Sequence, residues 1–155
     1  MMERSDVVEL LSNWPQPSTG NDGPVVYYGR GPTRIAYDTA GDSVAVATFP
    51  ICLQLTCGHP NDEVLQSHRL YGKGLQFYPV HRILQSARLA DLERANAVHP
   101  RHDSASFIKD NEHWVFTFQD ATVELFVLAL ADKKPSFTLC KSWKDAYEML
   151  AEREA

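Results

Sequence analysis

A chain of 155 residues, 44% hydrophobic and 23% charged, is sized for one domain around one core, and its most apolar stretch, residues 122–131, is broken by Glu124 and far too short to cross a bilayer. A net charge of −5 argues against general nucleic-acid binding, which draws most of its affinity from neutralising phosphates. Cys52, Cys57 and Cys140 make an odd number in a chain large enough to need no bridges; with no export signal in view, they point to a reducing compartment, the cytoplasm by expectation.

The charge is uneven. Between residues 64 and 102, six basic residues (Arg69, Lys73, Arg82, Arg88, Arg94 and Arg101) face two acids, for a local charge of +4 against −9 elsewhere, and four of the six histidines fall there too. Folding can intermix such charges on an ordinary surface; the sharper alternative is a basic face for an anionic partner.

Ser5 is placed to cap a short N-terminal helix within residues 1–14, where Val7, Leu10, Leu11 and Trp14 recur at helical spacing until Pro15 stops it. Residues 15–24, rich in Pro, Ser, Gly, Asn and Asp, read as a flexible connector. Residues 25–28 and 34–38 have strand character around Gly29-Arg30-Gly31-Pro32, and in the second Ile35 and Tyr37 alternate with Arg34, Ala36 and Asp38 as in a half-buried strand. Residues 43–49 are apolar on both parities, which predicts a central strand covered on both sides. Pro50 then belongs at a bulge or an edge, after which Ile51, Leu53 and Leu55 resume an alternation.

Residues 76–83 read as a strand with an awkward Pro79, and Ser86 caps a helix over 87–98 with Leu89 and Leu92 inward, ended by His99-Pro100. The strongest strand pair follows. Trp114, Phe116 and Phe118 alternate with Val115 and Thr117, and residues 123–130 return after Gln119-Asp120-Ala121, a connection looser than a two-residue type I′ turn. Ser142 and Asp145 form a capping signal before Trp143, Ala146, Tyr147 and Leu150, the C-terminal helix. Strands in runs, with helices near the N-terminus, at 87–98 and at the C-terminus, predict one α+β domain over 1–155 with a mostly antiparallel sheet.

Chemistry-bearing residues gather at 57–75, CGHPNDEVLQSHRLYGKGL. Asn61, Asp62 and Glu63 resemble a helix N-cap and acidic first turn. Cys57, His59, Glu63 and His68 are ligand types, but Glu63 and His68 are five apart and share no helical face, so no metal is expected. Cys52 and Cys57 have opposite strand parity and read as small core residues. Gly72-Lys73-Gly74 lacks the P-loop pattern and the helix that should follow it, and no cofactor is implied. His99, His102 and Asp103 read as exposed polar residues past a helix end, Ser104 and Ser106 lack a nucleophile elbow, and His113, Asp120 and Glu124 read as the solvent side of the aromatic hairpin.

Two segments, HPNDEVLQSHRLYGKGL at 59–75 and HWVFTFQDATVEL at 113–125, with ERANAVHP at 93–100 between them, resemble a family of small bacterial cytosolic proteins marked by a PNDE-x-L-x-x-H-x-L-Y-x-K-G-L segment and a later H-F-x-F-T-F-H-D-S-T-F-E segment. The likeness covers roughly the C-terminal two thirds of the chain. It implies a bacterial origin and one compact domain, and it brings no activity or catalytic residues with it. Gln119 and Ala121 stand where that second segment usually shows histidine and serine.

The resulting expectation is a binding domain that recognises a protein partner or a small anionic ligand through the 57–75 loop. His59, Asp62, Glu63, His68, Arg69 and Lys73 supply its hydrogen bonds and charge. The alternative is a hydrolase-like enzyme, with or without metal, using His59, Glu63 and His68, which requires those side chains to converge.

Overall fold

The computed structural model describes residues 5–20 and 22–153. Among the described residues the strands are β1 (Val7–Leu10), β2 (Val25–Tyr27), β3 (Thr33–Asp38), β4 (Val44–Phe49), β5 (Ile51–Gly58), β6 (Val80–Leu84), β7 (Asn111–Thr117), β8 (Thr122–Leu128) and β9 (Ser136–Cys140). The helices are α1 (Ala87–Asn96), α2 (Ser104–Asp110) and α3 (Trp143–Leu150), with two short 3-10 turns at Asp62–Ser67 and Tyr71–Lys73. The chain is a single α+β domain of two sheets, ordered β1-β6-β7-β8-β5 and β2-β3-β4-β9, and every pairing is antiparallel.

Pro50 marks the crossing between them. Proline has no N–H for a ladder, and here it separates β4, whose Phe49 pairs with Thr33, from β5, whose Ile51 pairs with Leu128 in the other sheet. The two inner faces enclose an apolar core in which Ile35, Tyr37, Ala47 and Phe49 meet Val80, Trp114, Phe116 and Leu125. Phe49 and Phe116 pack edge to face, centroids 6.1 Å apart at 90°, a favoured arrangement for aromatic quadrupoles.

Both sheets are also covered on their outer faces. Ala146 and Leu150 of α3 pack on Ala36, Val44 and Val46, which explains why β4 is apolar on both parities. Over the other sheet, Leu65, Leu70 and Leu75 of the long β5–β6 connection pack on Ile83 and Val115.

Several expectations need correction. The N-terminal helix is not formed: residues 7–10 are a strand, registered from Val7 opposite Leu84 to Leu10 opposite His81. A four-residue apolar run suits either conformation, and two β-branched valines facing a free sheet edge decide it. The connector is tied down over 15–18, where Tyr37 Oη donates to the Pro15 carbonyl (2.7 Å), Gln16 Oε1 accepts from Val80 N (3.3 Å) and Pro17 bridges Thr39. Arg34, expected on a solvent face, is 1% exposed. It donates to Thr48 Oγ1 (3.2 Å) and to the carbonyls of Leu150 and Glu152, clamping the end of α3 to the sheet. Residues 76–79 precede β6 instead of belonging to it, with Tyr78 at φ +75°. α2 and β9 were not foreseen: Asp103 caps α2 by accepting from Ser106 N (3.0 Å), and β9 completes the second sheet against β4.

Candidate functional site

Residues 59–79 carry little regular structure yet are held at many points. His59–Pro60 is a cis bond, Thr122 Oγ1 donates to the Pro60 carbonyl (2.7 Å), and Asp62 N donates to the Gln119 carbonyl (3.0 Å). Asp62 Oδ2 accepts from Tyr78 Oη at 2.6 Å, which raises the tyrosine's pKa because the phenol proton is committed to the carboxylate. The second turn closes at Gly74, whose φ of +114° is the left-handed geometry glycine supplies without a Cβ penalty.

Two cations of this segment, themselves partly exposed, reach a buried carboxylate. Arg69 Nη1 and Lys73 Nζ lie 3.0 and 3.3 Å from the same oxygen of Asp6, whose side chain is 1% exposed, while Ala87 N donates to its other oxygen (2.8 Å). Burial alone would raise the Asp6 pKa, but the Ala87 N–H and the two cations together hold it below its ordinary value. Asp6 therefore joins the entry to β1, the 3-10 turns and the N-terminus of α1 at one carboxylate.

A second node lies on the outer face of the same sheet. Glu124 on β8 receives His113 Nε2 from β7 at 3.0 Å on one oxygen and faces His68 Nε2 at 3.4 Å on the other. Burial opposes its charge, yet the imidazole N–H groups hold its carboxyl well below the usual carboxylate range. Each histidine's free nitrogen is also taken. Leu70 N donates to His68 Nδ1 (3.1 Å) and Gln76 N to His81 Nε2 (3.1 Å), while Ser86 Oγ lies 2.7 Å from His113 Nδ1. Because His113 gives its Nε2 proton to the Glu124 carboxylate, its Nδ1 accepts from the Ser86 hydroxyl, whose oxygen in turn accepts from Leu89 N (3.0 Å). Burial lowers the His113 pKa and brings that of His81 to about 4, so these rings are neutral.

Ser86, His113 and Glu124 thus stand in the order of a nucleophile, base and acid. The hydroxyl, however, is 2% exposed and caps α1, and the helix N–H beside it, that of Ala87, is filled by Asp6. An oxyanion would find that donor occupied. The relay joins the N-terminus of α1 to β7 and β8.

Of the residues singled out from the sequence, Arg69 and Lys73 meet at Asp6, and His68 meets Glu124. Asp62 pairs with Tyr78, and His59 and Glu63 are exposed. Among the described residues no three His, Cys, Asp or Glu side chains are grouped to hold a metal, so Cys57, His59, Glu63 and His68 do not assemble as ligands. The solvent-side reading of His113 and Glu124 is corrected: His113 is fully buried and Glu124 is partly buried at the centre of the node. His102 is also paired rather than free, its Nε2 2.7 Å from Glu93. Asp6 and His81 are not singled out by the sequence, Ser86 is read there only as the helix cap that it is, and His113 and Glu124 are read there as solvent-side residues. One signal was present in the sequence: Trp114, Val115 and Phe116 are apolar on both parities, so a second layer had to cover the His113 side of the strand.

The segment also leaves apolar side chains outside. Val64 and Phe77 are 45% and 41% exposed, with Gln66 and Ser67 also exposed. No helix among the described residues is long and apolar enough to cross a membrane. No family model matches the chain, and neither a curated protein nor a solved structure does.

Proposed function

We propose that this protein is a non-catalytic recognition domain that binds a protein partner through the outward face of residues 57–78. The observation that carries the reading is the pairing of the loop's two cations with the buried Asp6 carboxylate. Arg69 and Lys73 are spent on Asp6, so an anion approaching the loop from solvent would compete with a carboxylate already in place. A small-anion site on this loop is disfavoured for that reason.

The same contacts pre-pay the cost of ordering an irregular segment, and a preorganised surface binds with less entropic loss than a mobile one. Long connections fixed on a rigid scaffold are characteristic binding elements. The segment exposes Val64 and Phe77 together with His59, Glu63 and Gln66, the mixture of apolar and polar side chains that protein interfaces use.

The test is site-specific photo-crosslinking in extracts of the source cells. A photoreactive residue at Gln66 should yield a discrete adduct that one at Lys144 on α3 does not. That adduct should disappear in Val64→Asp/Phe77→Asp protein that melts as the parent does. Equal labelling from both positions, or no adduct at 66, would overturn the reading.

A further inference from the structure

We infer that a second site, separate from the 57–78 face, binds a small multivalent anion in the cleft beside the Pro50 crossing. The cleft measures about 600 Å³, within the range of small-molecule sites. Pro32, Pro50 and Ile51 form its walls, and among the described lining residues Lys133, Lys134 and Arg153 bring three positive charges to it against the one carboxylate of Asp132. In a chain of net charge −5 this is a concentration of the minority sign, and none of the three cations has an ion-pair partner among the described residues.

The cations are placed by the fold. Lys133 N donates to the Leu130 carbonyl (3.1 Å), closing the turn between β8 and β9 that carries both lysines. On the opposite side, Arg34 grips the carbonyls of Leu150 and Glu152, fixing the backbone that leads to Arg153. Gly31, at φ +76°, lets that backbone approach closely: a Cβ there would lie 3.1 Å from the Arg153 carbonyl oxygen. Like charges gathered on one cleft without counter-charges among the described residues raise the local potential toward an anion.

The chemistry calls for a ligand with at least two negative groups, phosphate or carboxylate, spaced to meet the lysine pair and the arginine, beside an apolar portion that can lie on Pro50 and Ile51. Arginine offers a planar fork and lysine a point charge, so both oxyanion types fit.

Calorimetric titration of the full chain at low salt with pyrophosphate, citrate and, as a monovalent control, acetate tests this. Pyrophosphate or citrate should bind in a one-to-one ratio and acetate should not, and which of the two binds tighter assigns the ligand class. Affinity should fall roughly tenfold or more in Lys133→Ala/Lys134→Ala and in Arg153→Ala, and stay unchanged in Lys109→Ala on α2, with all variants melting as the parent does. Absence of binding, or equal weakening by Lys109→Ala, would overturn the inference, the latter by showing only diffuse attraction.

Discussion

His68 and His113, 45 positions apart in the chain, share one carboxylate: each directs Nε2 to a different oxygen of Glu124, at 3.4 and 3.0 Å. One ring belongs to the long connection and the other to the central strand of its sheet. Glu124 thereby fastens the proposed recognition face to the scaffold.

Replacing Glu124 by leucine should therefore cost more than an ordinary surface change. It strands two imidazole N–H groups beneath the loop, and removing one member of a buried polar pair costs about 3 kcal/mol. Urea denaturation should show a loss of that order, with the slope of free energy against denaturant nearly unchanged.

The pH dependence follows from the same node. His113 has a lowered pKa and His81 one brought from 6.5 to about 4, so between those values the unfolded chain binds protons that the native rings refuse. Stability rises with pH where the unfolded state holds more protons. The histidine contribution should be complete above about pH 6.5 and decline as pH falls toward 4. Glu124, with a depressed carboxyl pKa, adds stability present above the ordinary carboxylate range and lost only at still lower pH. Denaturation midpoints measured from pH 7 to pH 4 should fall steadily. His81→Gln should flatten that slope, and an unchanged slope would remove His81 from the account.

Asp6→Asn should release the two cations it holds. The substitution leaves Arg69 and Lys73 without a counter-charge and weakens the hold on the Ala87 N–H. Because both cations are partly exposed and can be solvated, a destabilisation of about 1 kcal/mol is expected, and trypsin should cut after Arg69 or Lys73 in the variant while sparing the parent under the same conditions.

Ser86 should behave as a cap and not as a nucleophile. Ser86→Ala removes the acceptor for Leu89 N and the donor to His113, costing about 1–2 kcal/mol. A fluorophosphonate should leave the parent protein unmodified. Stoichiometric labelling at Ser86 would replace the binding reading with a hydrolytic one.

The sheet-forming half of the chain was legible because its signals are local. The double parity of residues 43–49 announced a covered central strand, Ser86 and Ser142 announced their helices, and the aromatic alternation announced β7. The N-terminal strand was not legible, since Val7, Leu10, Leu11 and Trp14 fit a helix equally well and only β6, more than seventy residues away, settles the matter. The loop at 57–75 was recognisable as a polar concentration, but its orientation was not. Nothing near Arg69 or Lys73 in sequence discloses that their counter-charge is Asp6. β9 was hidden because its side chains are mostly exposed and its partner β4 lies nearly ninety residues earlier.

The central claim is that internal contacts hold the 57–78 segment as one ordered surface, and amide hydrogen exchange at neutral pH tests it most directly. The amides of Leu70 and Gln76 donate to His68 and His81 ring nitrogens, so both should exchange far more slowly than an open chain, approaching the amides of β6. Exchange of those two amides at open-chain rates would contradict the account.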